Sequence, residues 1–172
     1  MIERTRRKLD EARFFYRLLV NERPQTMKAF GHDPSAFRYY FSAFIQAARS
    51  VTWTLGNEEP GSWKAWEPTW RDRRSTEEKR LLDLTNELRL EEAKRGGANA
   101  LVEWEEVALV ALTDEPWKQF VVPGSPKTFR QTYYFEDEVG KEEVTALCKR
   151  YLDFLDKMLN DFCADNQPAS HR

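Results

Sequence analysis

Reactive side chains are few in this chain and widely scattered. His32 and His171 are its two histidines, and neither has a cysteine or carboxylate at a recognised metal-ligand spacing, so no metal site is expected. Cys148 and Cys163 lie fifteen positions apart on one expected helix. At ~1.5 Å rise per residue they stand roughly 22 Å apart, far beyond the ~7 Å that a disulfide spans. Cys148 falls beside an apolar stripe, as a packed thiol does, and the sequence offers it no base. The seven glycines form no phosphate-cradling loop, and no Gly-x-Ser-x-Gly turn is present. Carboxylates are abundant, as in Glu58-Glu59, Glu91-Glu92 and Glu136 to Glu138, but no spacing selects a pair for acid–base or two-metal work. No cofactor is called for.

The arginines are more informative. Arg49 stands in a weakly charged stretch between Ala48 and Ser50. A partly buried guanidinium there requires either an acidic partner or a ligand anion. The segment from Arg71 to Arg95 holds eight basic residues, among them Arg89, Lys94 and Arg95, against seven acidic ones, a balance of +1. Ion pairing along a helix surface accounts for that pattern better than an RNA groove does. Arg49, Arg89, Lys94 and Arg95 are the candidate anion contacts.

The elements that must position these residues follow from periodicity. Ile2, Thr5, Leu9, Ala12, Tyr16 and Leu19 recur at three- and four-residue steps and predict a first helix ending near Asn21 to Arg23, before Pro24. Asp33-Pro34 announces a second, central helix whose apolar face runs from Phe37 through Phe44 to Leu55, with Ala43 and Ala47 allowing a neighbour to approach. Gly56, Pro60 and Gly61 are read as its stop, followed by a loop whose Trp63, Trp66 and Trp70 fold back onto the bundle. Ser75 and Glu78 have capping-box spacing and open a third helix, even if a short helical piece precedes it, with Leu81, Leu84 and Leu88 inward, closed by Gly96-Gly97. From Ala100 the period becomes that of strands: one long segment to Leu112, then Phe120 to Val122 and Phe129 to Phe135, with a turn at Pro123, Gly124 and Pro126. After Gly140, Val144 to Phe162 return to helical spacing, and the last residues read as a frayed tail. The expected fold is mainly α: a four-helix up-down bundle in a single domain, 1–172, with a small antiparallel β insertion at about 99–137.

With 172 residues and 27 basic against 29 acidic side chains, net charge −2, the chain fits one domain and shows no overall field for nucleic acid or an anionic membrane. No apolar run approaches membrane-spanning length and the opening MIERTRRKLD has no signal-peptide core, so a cytoplasmic, non-membrane protein is expected.

The run from Phe37 to Phe44, continuing through Ala47, Ala48, Arg49, Ser50 and Val51, resembles the second helix of bacterial proteins of the HEPN superfamily, the higher eukaryotes and prokaryotes nucleotide-binding domains. The aromatic first helix and the Glu87-Leu88-Arg89 end of the third are similar to the same pattern, so the resemblance covers about residues 11–97. Competent members are metal-independent ribonucleases with an arginine followed, after four to six residues, by histidine, and many form homodimers with a composite site. The resemblance places that arginine at Arg89, where the histidine window holds Lys94 and Arg95 instead. Neither is a general base near neutral pH without a large pKa depression. The expectation is therefore a catalytically degenerate binding module, homodimeric, with a protein or RNA partner. The alternatives are a metal-independent RNA endonuclease of toxin or defence type using Arg89, and a scaffold that pairs strands through the β insertion.

Overall fold

The stretch read as a tryptophan-bearing loop is itself a helix, and this is the main departure from the expected plan. The computed structural model describes residues 2–21, 34–95, 101–107, 110–112, 119–121, 128–137 and 140–166, with side chains at 2–21, 35–90, 103, 132–136 and 140–166. Among these residues there are five helices: α1 (Glu3–Asn21), α2 (Pro34–Glu58), α3 (Pro60–Asp72), α4 (Thr76–Arg95) and α5 (Val144–Asp165). His32, His171, Gly96-Gly97 and the tail beyond Asn166 lie outside the described residues.

Two punctuation signals account for the difference. Pro60 stands at the first position of α3, where its missing N–H is no loss and its fixed φ suits the first turn; it starts a helix rather than extending a loop. Only Glu59, at φ −133° and ψ 61°, separates α2 from α3. Gly56 does not stop α2 either. A Cβ built on it comes within 3.1 Å of Trp63 Cδ1, so the glycine leaves room for an indole seated on the helix. The tryptophans do fold back: Trp66 and Trp70 are buried and Trp63 packs against the core.

Helix α2 is central, touching the other four helices and burying Phe37, Phe41, Phe44, Ile45, Ala48, Val51 and Leu55. α1 lies alongside it, Tyr16 against Phe44, and the seam is locked at one end. There the Glu58 carboxylate accepts hydrogen bonds from the amides of Arg4 and Thr5 and from the Thr5 hydroxyl, at 2.8–3.0 Å. The last residue of α2 thus satisfies free amides in the first turn of α1. The capping box of α4 forms as read, Ser75 N to Glu78 Oε2 at 3.0 Å and Glu78 N to Ser75 Oγ at 3.1 Å. α5 buries Leu147, Tyr151, Leu155, Met158 and Phe162 on the expected stripe.

The β insertion is larger than a three-strand meander. Strands β1 (Leu101–Val107), β2 (Val110–Leu112), β3 (Gln119–Val121), β4 (Thr128–Asp137) and β5 (Gly140–Glu143) form a three-stranded sheet in the order β1-β4-β5 and a separate β2-β3 pair, all antiparallel. The segment expected as one strand to Leu112 is divided. Leu101 pairs with Tyr134 but Val110 with Val121, a register offset of four. Six residues, 122–127, separate β3 from β4 against two between β1 and β2. The turn expected at Pro123, Gly124 and Pro126 lies outside the described residues. The sheet joins the core through β4: Tyr133 stacks on Phe37 at 3.7 Å between ring centroids, and Phe135 lies 5.3 Å from Phe41. No helix among the described residues is long and apolar enough to cross a membrane.

Candidate functional site

On the side of α2 away from the locked seam, an open cleft of about 460 Å³ runs between α2, α3, α4 and α5. Its α2 wall is made by Arg49, Thr52, Trp53, Gly56 and Asn57. Their three- and four-residue steps place them on one helical face. α3 supplies the opposite wall with Trp63, Glu67 and Arg71, and α4 supplies Leu82, Asp83 and Asn86. Tyr151 and Met158 come from α5.

α3 is held over α5 by its indoles. Trp66 Nε1 donates to Asp165 at 2.8 Å and Trp70 Nε1 to Asp161 at 2.9 Å, so two tryptophans four residues apart meet two aspartates four apart on an antiparallel helix. Arg74 lies 4.8 Å from the Trp70 ring centroid and 3.5 Å from Asp161. Indole N–H groups on buried rings call for acceptors, and the carboxylates supply them.

Arg49 is the charge at the centre of the α2 wall. Its Nη1 donates to Thr52 Oγ1 and its Nε to Asn86 Oδ1 at 3.4 Å. Both acceptors are neutral, and among the described residues no carboxylate comes within ion-pair distance. The acidic partner that a half-buried guanidinium calls for is thus replaced by two neutral side chains. Arg71 differs, since its Nη2 pairs with Asp83 Oδ1 at 2.9 Å. Beneath Arg49, burial raises the Tyr151 phenol above its ordinary pKa, against the opposing effects of a hydrogen bond with Thr85 and the Arg49 charge. Tyr151 is therefore a neutral phenol in the cleft, with no role as a base near neutral pH.

Of the four candidates, three arginines and one lysine, the described side chains are those of Arg49 and Arg89. Arg49 lines the cleft, whereas Arg89 lies outside it with its Nε buried and without a hydrogen-bond partner. The helix α4 runs through Lys94 and Arg95, but their side chains lie outside the described residues. Cys148 is buried and its thiol is pushed well above its ordinary pKa by burial and by the Glu142 charge, as befits a packed residue. Sequence reasoning singled out Arg49 but missed Trp53, which is 72% exposed, as well as Asn86 and the cleft-facing side of Tyr151. The one available signal was the four-residue spacing of Arg49, Trp53 and Asn57.

Compared with protein-family models, with curated proteins and with solved structures, the chain matches none.

Proposed function

We propose that this protein is a catalytically degenerate, HEPN-like binding module that works through the α2–α5 cleft, as a cytoplasmic homodimer. On this reading α1, α2, α4 and α5 correspond to the four helices of the bundle, and α3 is an added wall. The observation that carries the reading is Arg49: a guanidinium turned into a cleft, held in place by two neutral acceptors, and lacking a carboxylate partner among the described residues. A positive charge positioned in this way favours an incoming anion. Tyr151 is not the cleft's general base, because it is a neutral phenol, and the carboxylates that line the cleft are Glu67 and Asp83, the latter paired with Arg71.

A second reading rests on Arg89, whose buried Nε has no hydrogen-bond partner. A buried donor left unmade costs about 1–3 kcal/mol and is satisfied by an added acceptor. This is the observation in favour of a metal-independent ribonuclease. Both readings meet in one experiment: a mixed labelled RNA pool incubated with the purified protein in EDTA, with Arg89→Ala in parallel. The binding-module reading expects no cleavage by either protein. Cleavage by the parent chain that disappears in Arg89→Ala establishes the enzyme instead. Light scattering across a concentration range tests the dimer, and a constant monomer mass ends that part of the proposal.

A further inference from the structure

We infer that the ligand of this cleft is a small aromatic monoanion, a flat ring system carrying a single negative group; this rests on the reading of the cleft as the binding site. Three features select that class. The first is Trp53. Every other large apolar residue in the Arg49–Asn57 half of α2 is buried, with Val51 and Leu55 fully so, yet Trp53 is 72% exposed on the cleft wall. An indole left in water beside a concavity offers a stacking surface whose burial by a ring is favourable through both area and geometry. Trp63, seated on Gly56 across the cleft, is a second aromatic wall.

The second feature is the donor set of Arg49. A guanidinium has five N–H donors; among the described residues Thr52 and Asn86 take two of them and leave three. Arg49 precedes Trp53 by four residues, so the two side chains leave α2 as neighbours on one face, with their Cβ atoms about 5–6 Å apart. A neutral ring leaves the guanidinium uncompensated, and a bare anion leaves Trp53 unstacked.

The third feature limits the charge. Elsewhere on the cleft Arg71 is already paired with Asp83, and Glu67 adds a carboxylate. The Arg49 side is therefore cationic while the remaining charged groups carry a net negative charge. One anionic group finds its partner at Arg49, and each further one meets repulsion from Glu67 and Asp83. A volume of about 460 Å³ lies within the range of small-ligand clefts.

The test is isothermal titration of the full-length protein with four probes: 2-naphthoate, its neutral isostere 2-naphthamide, acetate and a single-stranded RNA pool. The expected result is that 2-naphthoate binds at least tenfold more tightly than 2-naphthamide or acetate, and that Arg49→Gln and Trp53→Ala each weaken it at least tenfold. Circular dichroism and melting of both variants, matched to the parent, establish that the loss is not unfolding. Equal affinity for 2-naphthamide overturns the anionic requirement, and equal affinity for acetate overturns the aromatic one. RNA binding that depends on Arg49, with no 2-naphthoate binding, overturns the ligand class while the binding-module reading stands. Binding of none of the four removes both.

Discussion

Helix α2 has two seams, and they are built on opposite principles. Toward α1 it is closed: Tyr16 lies against Phe44, and Glu58 ties down the first turn of α1. Toward α3 and α4 it is open, lined by Arg49, Thr52, Trp53 and Asn57, with an exposed indole and a guanidinium partnered, among the described residues, by neutral groups. The difference teaches where to look for function in a helical protein with few reactive residues. The closed seam contributes stability through area removed from water, whereas the open one retains polar and aromatic groups that stability alone does not require.

The contrast is tested hardest at the closed seam. Phe44→Ala removes a fully buried ring and is expected to destabilise the protein by about 3–5 kcal/mol in urea denaturation. A loss below about 1 kcal/mol would mean that this seam is not the packed one. Next comes the α3 clamp: Trp70→Phe keeps an aromatic ring but removes the hydrogen bond to Asp161 and part of the buried indole, with an expected cost of about 1–3 kcal/mol in the same assay. Because α3 forms a cleft wall, this variant is also expected to weaken ligand binding, which Phe44 reaches only through stability.

At the locked end, Glu58→Gln is expected to cost about 1 kcal/mol at neutral pH, the usual worth of a helix cap. Burial of Glu58 would by itself raise its pKa, but the Thr5 hydroxyl and amide, the Arg4 amide and the Arg4 charge together lower it below the ordinary carboxylate value. A folded-state pKa below the unfolded one means that the contribution is complete above the unfolded pKa of ~4.3 and is lost as pH falls through the folded value. The difference between the parent and Glu58→Gln in denaturation midpoint is therefore expected to shrink on acidification below about pH 4. A difference that grew in acid would contradict the cap. Smallest of all, Trp53→Ala is expected to change stability by no more than ~0.5 kcal/mol, as for exposed positions generally. A large loss there would show that the indole is structural and would blur the distinction between the two seams.

The helices were legible wherever one stripe faced one core. Leu147, Tyr151, Leu155, Met158 and Phe162 recur on a helical period and are buried on a helix, and Ser75 with Glu78 carried its own reciprocal hydrogen bonds. Reading failed where one residue type permits two structures. Pro60 ends a helix as readily as it begins one, and Gly56 marks a close approach by Trp63 as readily as a stop. In the β insertion, strand content was visible but register was not, because pairing Leu101 with Tyr134 and Val110 with Val121 depends on residues far apart in the chain.

Local order thus came from the chain alone: apolar period, caps and the placement of prolines specify which segments are helical and which side of each is apolar, since these effects act within about one turn. The cleft came from packing. Arg49 meets Asn86 across 37 positions, Trp70 meets Asp161 across 91 and Trp66 meets Asp165 across 99. Such meetings are set by the rotation and spacing of helices against one another, and those are decided by how the buried side chains of the whole domain interlock.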